Sequence, residues 1–90
     1  MVTTSGLKEG QLVRSLKGRD KDRYFVVLKI IDKSYLLLVD GDLRKLAKPK
    51  KKKVQHVQIL NQGVNLQIEE ELKDSTIRKL LKPLNEPRRV

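Results

Sequence analysis

The 90-residue sequence has no cysteine and no tryptophan, and only one histidine, one phenylalanine and two tyrosines. Without cysteine there is no disulfide framework, no thiolate-bound zinc and no thiol nucleophile, so stability rests on packing alone. The same inventory argues against catalysis. His56 is the single imidazole, and no strand-turn-helix elbow surrounds Ser5, Ser15, Ser34 or Ser75. Asp20, Asp22, Asp32, Asp40 and Asp42 fall at turn-like positions, where aspartate bonds its own main chain, and no ligand spacing repeats. No glycine-rich phosphate loop leads into a helix. The sequence therefore predicts no enzyme activity, no metal site and no cofactor. The longest aliphatic run, Leu36 to Val39, is four residues, far short of a bilayer span, and Met1 to Gly10 lacks the regions of a signal peptide. A cytoplasmic protein without a membrane partner is expected.

What the chain has in excess is positive charge, with 21 Lys or Arg against 11 Asp or Glu and a net +10. Residues 14 to 29 carry Arg14, Lys17, Arg19, Lys21, Arg23 and Lys29 against Asp20 and Asp22, a net +4. Residues 44 to 53 carry Arg44, Lys45, Lys48, Lys50, Lys51, Lys52 and Lys53 with no acid, a net +7, and the remainder sums to −1. Two concentrated basic segments on a near-neutral chain form the footprint of a polyanion site, and nucleic acid is the polyanion they fit. A lysine run alone is equally a solvated tail or a targeting signal. Here it flows directly into Val54, Val57, Ile59 and Leu60, which are ordered apolar sequence. A membrane surface would demand an amphipathic or lipid anchor, which is not evident.

From Leu12 to Leu60 the pattern reads as short strands separated by turn chemistry. Gln11 to Leu16 is followed by a Lys17 to Asp20 turn, and a long strand from about Arg23 to Ile31 is rich in β-branched and aromatic residues. Asp32 to Ser34 make a tight connection into Tyr35 to Val39, Asp40 and Gly41 turn the chain, and a loop through Pro49 precedes a fourth strand ending near Gln55. Around His56 the alternation changes phase, which requires a bulge, a bend or a short helical turn before a fifth strand, Val57 to Asn61. The second and third strands are apolar on both parities, so their outer face needs a cover. Ile77, Leu80, Leu81 and Leu84 recur at helical spacing behind Asp74 or Ser75 and supply one, with Pro83 ending the helix near Lys82. The expected fold is all-β, a small five-stranded barrel over residues 1–62. A C-terminal extension, 63–90, carries a short helix at about 75–82 packed on the barrel, a Val64, Leu66, Ile68 alternation that reads as an edge strand, and a frayed end.

The stretch from Gly10 through Val13, Gly18, the basic loop and Val26-Val27 resembles the KOW motif. With the following Leu28 to Asp32, Tyr35 to Gly41 and the lysine run, residues 8 to 60 are similar to KOW-domain RNA-binding proteins. These are the bacterial relatives of the large-subunit ribosomal proteins L14e, L6e and L27e. The resemblance implies an SH3-like barrel and RNA binding, often on the ribosome. Gly10 and Gly18 match the motif glycines, and Val13, Val26 and Val27 match its buried aliphatics. Asp22 stands where many members have glycine, a position expected to need positive φ. The expected partner is RNA, ribosomal RNA foremost, with ribosomal or translation-factor proteins as further partners of a free monomer. Contacts are expected from Arg14, Lys17, Arg19, Lys21, Arg23, Arg44, Lys45, Lys48 and Lys50 to Lys53. A protein-interaction adaptor and a DNA-binding architectural protein are the alternatives.

Overall fold

The computed structural model describes residues 6–63 and 73–85. Strands β1 (Gln11–Ser15), β2 (Tyr24–Ile30), β3 (Tyr35–Val39), β4 (Lys50–Lys53) and β5 (Val57–Gly63) form one antiparallel sheet in the order β4-β3-β2-β1-β5. The β2–β3 connection is set by Asp32, whose Oδ1 accepts the N–H groups of Ser34 and Tyr35. The β1–β2 turn uses Gly18 at φ +91° and Asp22 at φ 71°, the conformation expected of position 22.

β4 and β5 occupy opposite edges of the sheet, yet only a three-residue 3-10 turn, Val54–His56, separates them. In a flat sheet four strand spacings would put those edges roughly 19 Å apart, whereas such a turn advances only about 6 Å. The sheet must therefore coil strongly. Register shifts between Val27 and Lys29 and between Gln11 and Val13 mark where the ladder bends. The turn itself is tied to both sides, since Leu16 N–H donates to His56 O and Val54 N–H to Ser34 O. This turn is the phase change visible at His56.

Coiling gives the sheet an inner face packed by Val13, Phe25, Val27, Leu36, Leu38, Val54 and Val57, with Leu7 closing over them. The outer face presents Leu12, Val26 and Val39. Adjacent residues of a strand point to opposite faces, so Val26 and Val27 serve different cores, and both parities are apolar because both faces are covered. The outer cover is α1 (Asp74–Asn85), which buries Ile77 and Leu81. Leu80 and Leu84, counted in the apolar stripe from sequence, remain 41% and 36% exposed.

The helix also outruns its expected end, continuing through Pro83 to Asn85. Proline in the last turn forfeits a single N–H bond, and Asn85 compensates by binding the main chain of Tyr24 twice. Its Oδ1 accepts Tyr24 N–H at 2.8 Å, and its Nδ2 donates to Tyr24 O at 3.2 Å. At the other end Asp74 Oδ1 accepts the N–H of Leu46 at 2.7 Å, fastening the helix to the basic segment. The Val64 to Ile68 alternation, Glu69 to Glu71 and the C-terminal end beyond Asn85 lie outside the described residues.

Gly41 is what lets α1 lie down. A Cβ there would stand 2.1 Å from Asp74 O and 2.7 Å from Arg78 N, both backbone atoms, and its φ is +76°. Gly6 shares the positive φ, at +88°, but has open space around it. Gly6→Ala should cost about 1 kcal/mol, from conformation alone, whereas Gly41→Ala should cost about 3 kcal/mol or more and expose the outer face, read by denaturant melts with dye binding. Equal losses at the two positions would show that the helix does not depend on this approach. At position 22, glycine should exceed alanine in stability by about 1 kcal/mol, because only alanine resists φ of 71°.

Candidate nucleic-acid interface

The lysine run is not uniform once it is a strand. Lys50, Lys51, Lys52 and Lys53 pair with Leu38, Leu37, Leu36 and Tyr35. Paired residues share a face, and Leu36 and Leu38 belong to the inner core, so Lys50 and Lys52 lie on that side while Lys51 and Lys53 face outward. Lys52 is only 8% exposed. Its Nζ donates to Asp20 Oδ1 at 2.8 Å and to Lys17 O at 2.6 Å, and the same Asp20 oxygen accepts Ser15 Oγ–H at 2.8 Å. Burial alone would raise the pKa of Asp20, but the hydrogen bonds from Lys52 and Ser15 and the charges of Lys52 and Lys50 prevail and hold it below the usual aspartate value. Asp20 is thus an anion that fastens β4 to the β1–β2 loop.

Arg23 is also committed internally. Its Nε donates to Asp40 Oδ2 and its Nη2 to Asp42 Oδ2 at 3.2 Å, with 15% of the arginine side chain exposed. Arg14 stands 4.0 Å from Asp22, and its Nε is buried without a hydrogen-bond partner. Two expected contact residues, Lys52 and Arg23, therefore spend their charge on the fold. The sequence hid this because their partners, Asp20 and Asp40, lie 32 and 17 positions away.

The remaining cations gather unevenly. Gly18, Arg19 and Asp20 from the β1–β2 loop, Leu43 and Arg44 from the β3–β4 segment, and Lys50 and Lys52 of β4, together with the buried Phe25 of β2, line one cleft of ≈ 530 Å³. An adjoining cleft of ≈ 540 Å³ shares Arg19, Asp20 and Leu43 and adds Arg14, Lys21, Asp22, Arg23, Tyr24, Leu84 and Asn85. Part of each basic segment therefore meets at one rim, Arg14, Arg19, Lys21 and Arg23 from the first and Arg44, Lys50 and Lys52 from the second. Lys45 and Lys48 are exposed in the β3–β4 connection and line neither cleft. Lys51 sits 4.6 Å from the centroid of the Tyr35 ring, on the outward side of β4. His56 is held below its ordinary pKa by partial desolvation and by the charges of Lys17, Lys53 and Lys52, so at neutral pH it adds no cation.

Sequence reasoning missed a third group. Arg78, Lys79 and Lys82 of α1 line a cleft of ≈ 430 Å³ with Arg23, Asp40, Asp42 and Asn85, which adjoins the second through Arg23 and Asn85. Their position off the Ile77 and Leu81 stripe was readable from helical spacing, but their approach to Asp40 was not. Among the described residues no cluster of three or more His, Cys, Asp or Glu is placed to hold a metal ion, and no helix is long and apolar enough to cross a membrane. Compared with known proteins, the chain matches no family model and no curated protein.

Unequal lysines should give unequal variants. Lys52→Ala leaves Asp20 charged and half-partnered and should cost about 3 kcal/mol, while Lys51→Ala, at an exposed position, should stay within about 0.5 kcal/mol. Urea titrations decide this, and equal effects would refute the staple. Because the folded pKa of Asp20 is depressed, its contribution is fully present above the ordinary value of 3.8 and is lost as pH falls through the lower folded value. The acid-unfolding difference between the native chain and Asp20→Asn should therefore vanish below that range.

Proposed function

We propose that the protein is a non-enzymatic RNA-binding domain of the KOW type, an SH3-like barrel closed at the 3-10 turn, that holds structured RNA by its phosphates. Ribosomal RNA is the foremost target. The observation that carries the reading is the union of the two basic segments at one rim, tied by Lys52 to Asp20 and to Lys17 O. Gly10 and Gly18 both take positive φ, and Asp22 takes it where the resembling family has glycine. These features support the KOW loop. The proposed surface centres on Arg14, Arg19, Lys21, Arg44 and Lys50 at the rim and extends to Lys17, Lys45, Lys48, Lys51 and Lys53 around it, with Lys52 and Arg23 holding it in place.

Charge and shape are the mode of recognition that the residues favour. Phe25 is fully buried, Tyr35 carries Lys51 over its ring, and Tyr24, though it lines the ≈ 540 Å³ cleft, is packed against the outer core, so the row of open aromatic platforms of a single-strand reader is lacking among the described residues. The adaptor alternative wants an apolar face, and the outer sheet face is occupied by Ile77 and Leu81. Architectural DNA binding shares the electrostatics and is separated by competition between structured RNA and duplex DNA at matched salt.

With about six phosphates neutralised, log K should fall against log salt with a slope of about −4 to −5. Replacing Lys50, Lys51 and Lys53 by alanine while keeping Lys52 should flatten that slope by about 2 to 3 without unfolding the protein. A flat titration of the native chain would defeat the mechanism. His56 offers an independent reading: bound phosphate offsets the lysine charges around it, so its NMR-detected pKa should rise in the complex.

A further inference from the structure

One apolar side chain stands at the junction of two cationic clefts. Leu43 is 60% exposed and lines both the ≈ 530 Å³ and the ≈ 540 Å³ cleft, as does Arg19. A single exposed leucine is ordinary on a protein surface. This one lies where a phosphate track would run, and neither phosphate nor ribose gains from contact with hydrocarbon. The nucleic-acid group that does gain is the face of a base taken out of its stack.

The first cleft has what such a base needs despite the scarcity of aromatics. Bases stack on guanidinium planes as they do on aromatic rings, and Arg19 from one loop and Arg44 from the other both line this cleft. Lys50 beside them supplies an ammonium for the phosphate. The one acid in the lining, Asp20, is already bonded to Lys52 at 2.8 Å, so the cleft keeps an excess of positive charge complementary to a nucleotide. Its volume falls within the range of roughly 300–1,000 Å³ typical of small-ligand sites.

We propose that this cleft accepts one unstacked nucleotide of a structured RNA, of the kind a single-nucleotide bulge presents. The base rests on Leu43 with Arg19 and Arg44, and the phosphate lies at Lys50. The proposal builds on the RNA-binding reading and adds a preference among RNAs that a phosphate track alone lacks.

The test is fluorescence anisotropy at two salt concentrations, with a hairpin carrying one bulged nucleotide, each of the four bases in turn, against the same hairpin fully paired. The native protein should favour at least one bulged hairpin by about fivefold or more, the scale of one stacked base. Leu43→Ser should shrink that preference to near unity while leaving the paired-hairpin affinity and the melting temperature unchanged. Arg44→Lys keeps the charge and should also reduce the preference. Equal, salt-dependent binding of all hairpins by the native protein would overturn the nucleotide cleft and leave the RNA reading standing. So would a loss in Leu43→Ser that falls equally on paired and bulged RNA. Absence of salt-dependent binding to any hairpin would remove the RNA reading itself, and the cleft with it.

Discussion

The side chain of Asp40 has no solvent exposure, and the path of the chain after β3 is organised by it. A buried carboxylate is untenable without compensation, since removing such a charge from water costs several kcal/mol. Asp40 receives it from three donors. Arg23 Nε reaches Oδ2, while the N–H groups of Asp42 and Arg44 reach Oδ1 at 2.9 and 2.7 Å. One donor lies just before β2 and the other two lie in the turn that leads from β3 into the basic segment, so the carboxylate fixes the angle at which that segment leaves the sheet. Gly41, next in sequence, admits the helix backbone, and Asp74 returns a bond to Leu46. The placement of Arg44, Leu43 and α1 thus follows from one internal anion.

A second anion divides the labour of the lysines. Asp20 draws Lys52 inward and leaves Lys51 and Lys53 on the far side of the strand. Strand alternation enforces this division: a run of four identical residues cannot present one face. The net charge of +10 therefore overstates the cations available to a ligand, because the ion pairs of Lys52 and Arg23 are structural. Of what remains, Arg19, Lys21, Arg44 and Lys50 gather where the β1–β2 loop meets the start of β4, and Arg78, Lys79 and Lys82 form a separate group on α1.

Much of the fold was legible in the sequence because its signals are local. Strand positions followed from β-branched runs and Asp or Gly turns, the break at His56 from a phase change, and the cover on the outer face from double-sided apolarity in β2 and β3. The end of α1 was misread at Pro83 because the sidechain bond from Asn85 to Tyr24 spans 61 positions. Leu80 and Leu84 share the apolar stripe yet stay exposed for a related reason. Helical spacing gives the width of an apolar stripe, but the narrow contact with Leu12, Val26 and Val39 decides how much of it is covered. The site divided along the same line: which residues are basic is written in the chain, and which of them are already paired is a property of the tertiary fold.

The coiled path through the 3-10 turn also orders the events of folding. Pairings of β1 with β2, β2 with β3 and β3 with β4 join neighbours along the chain, whereas β1 meets β5 with Gln11 opposite Gly63. Loop closure makes that last pairing the entropically expensive one. It becomes cheap only when the preceding meander has already carried the chain around to within three residues of its destination. The lysine run exists as soon as the chain is made, but Lys52 finds Asp20 only when β4 has docked. A nascent or partly folded chain therefore carries Lys52 as a free cation, and its charge is withdrawn into the fold only when β4 reaches the β1–β2 loop.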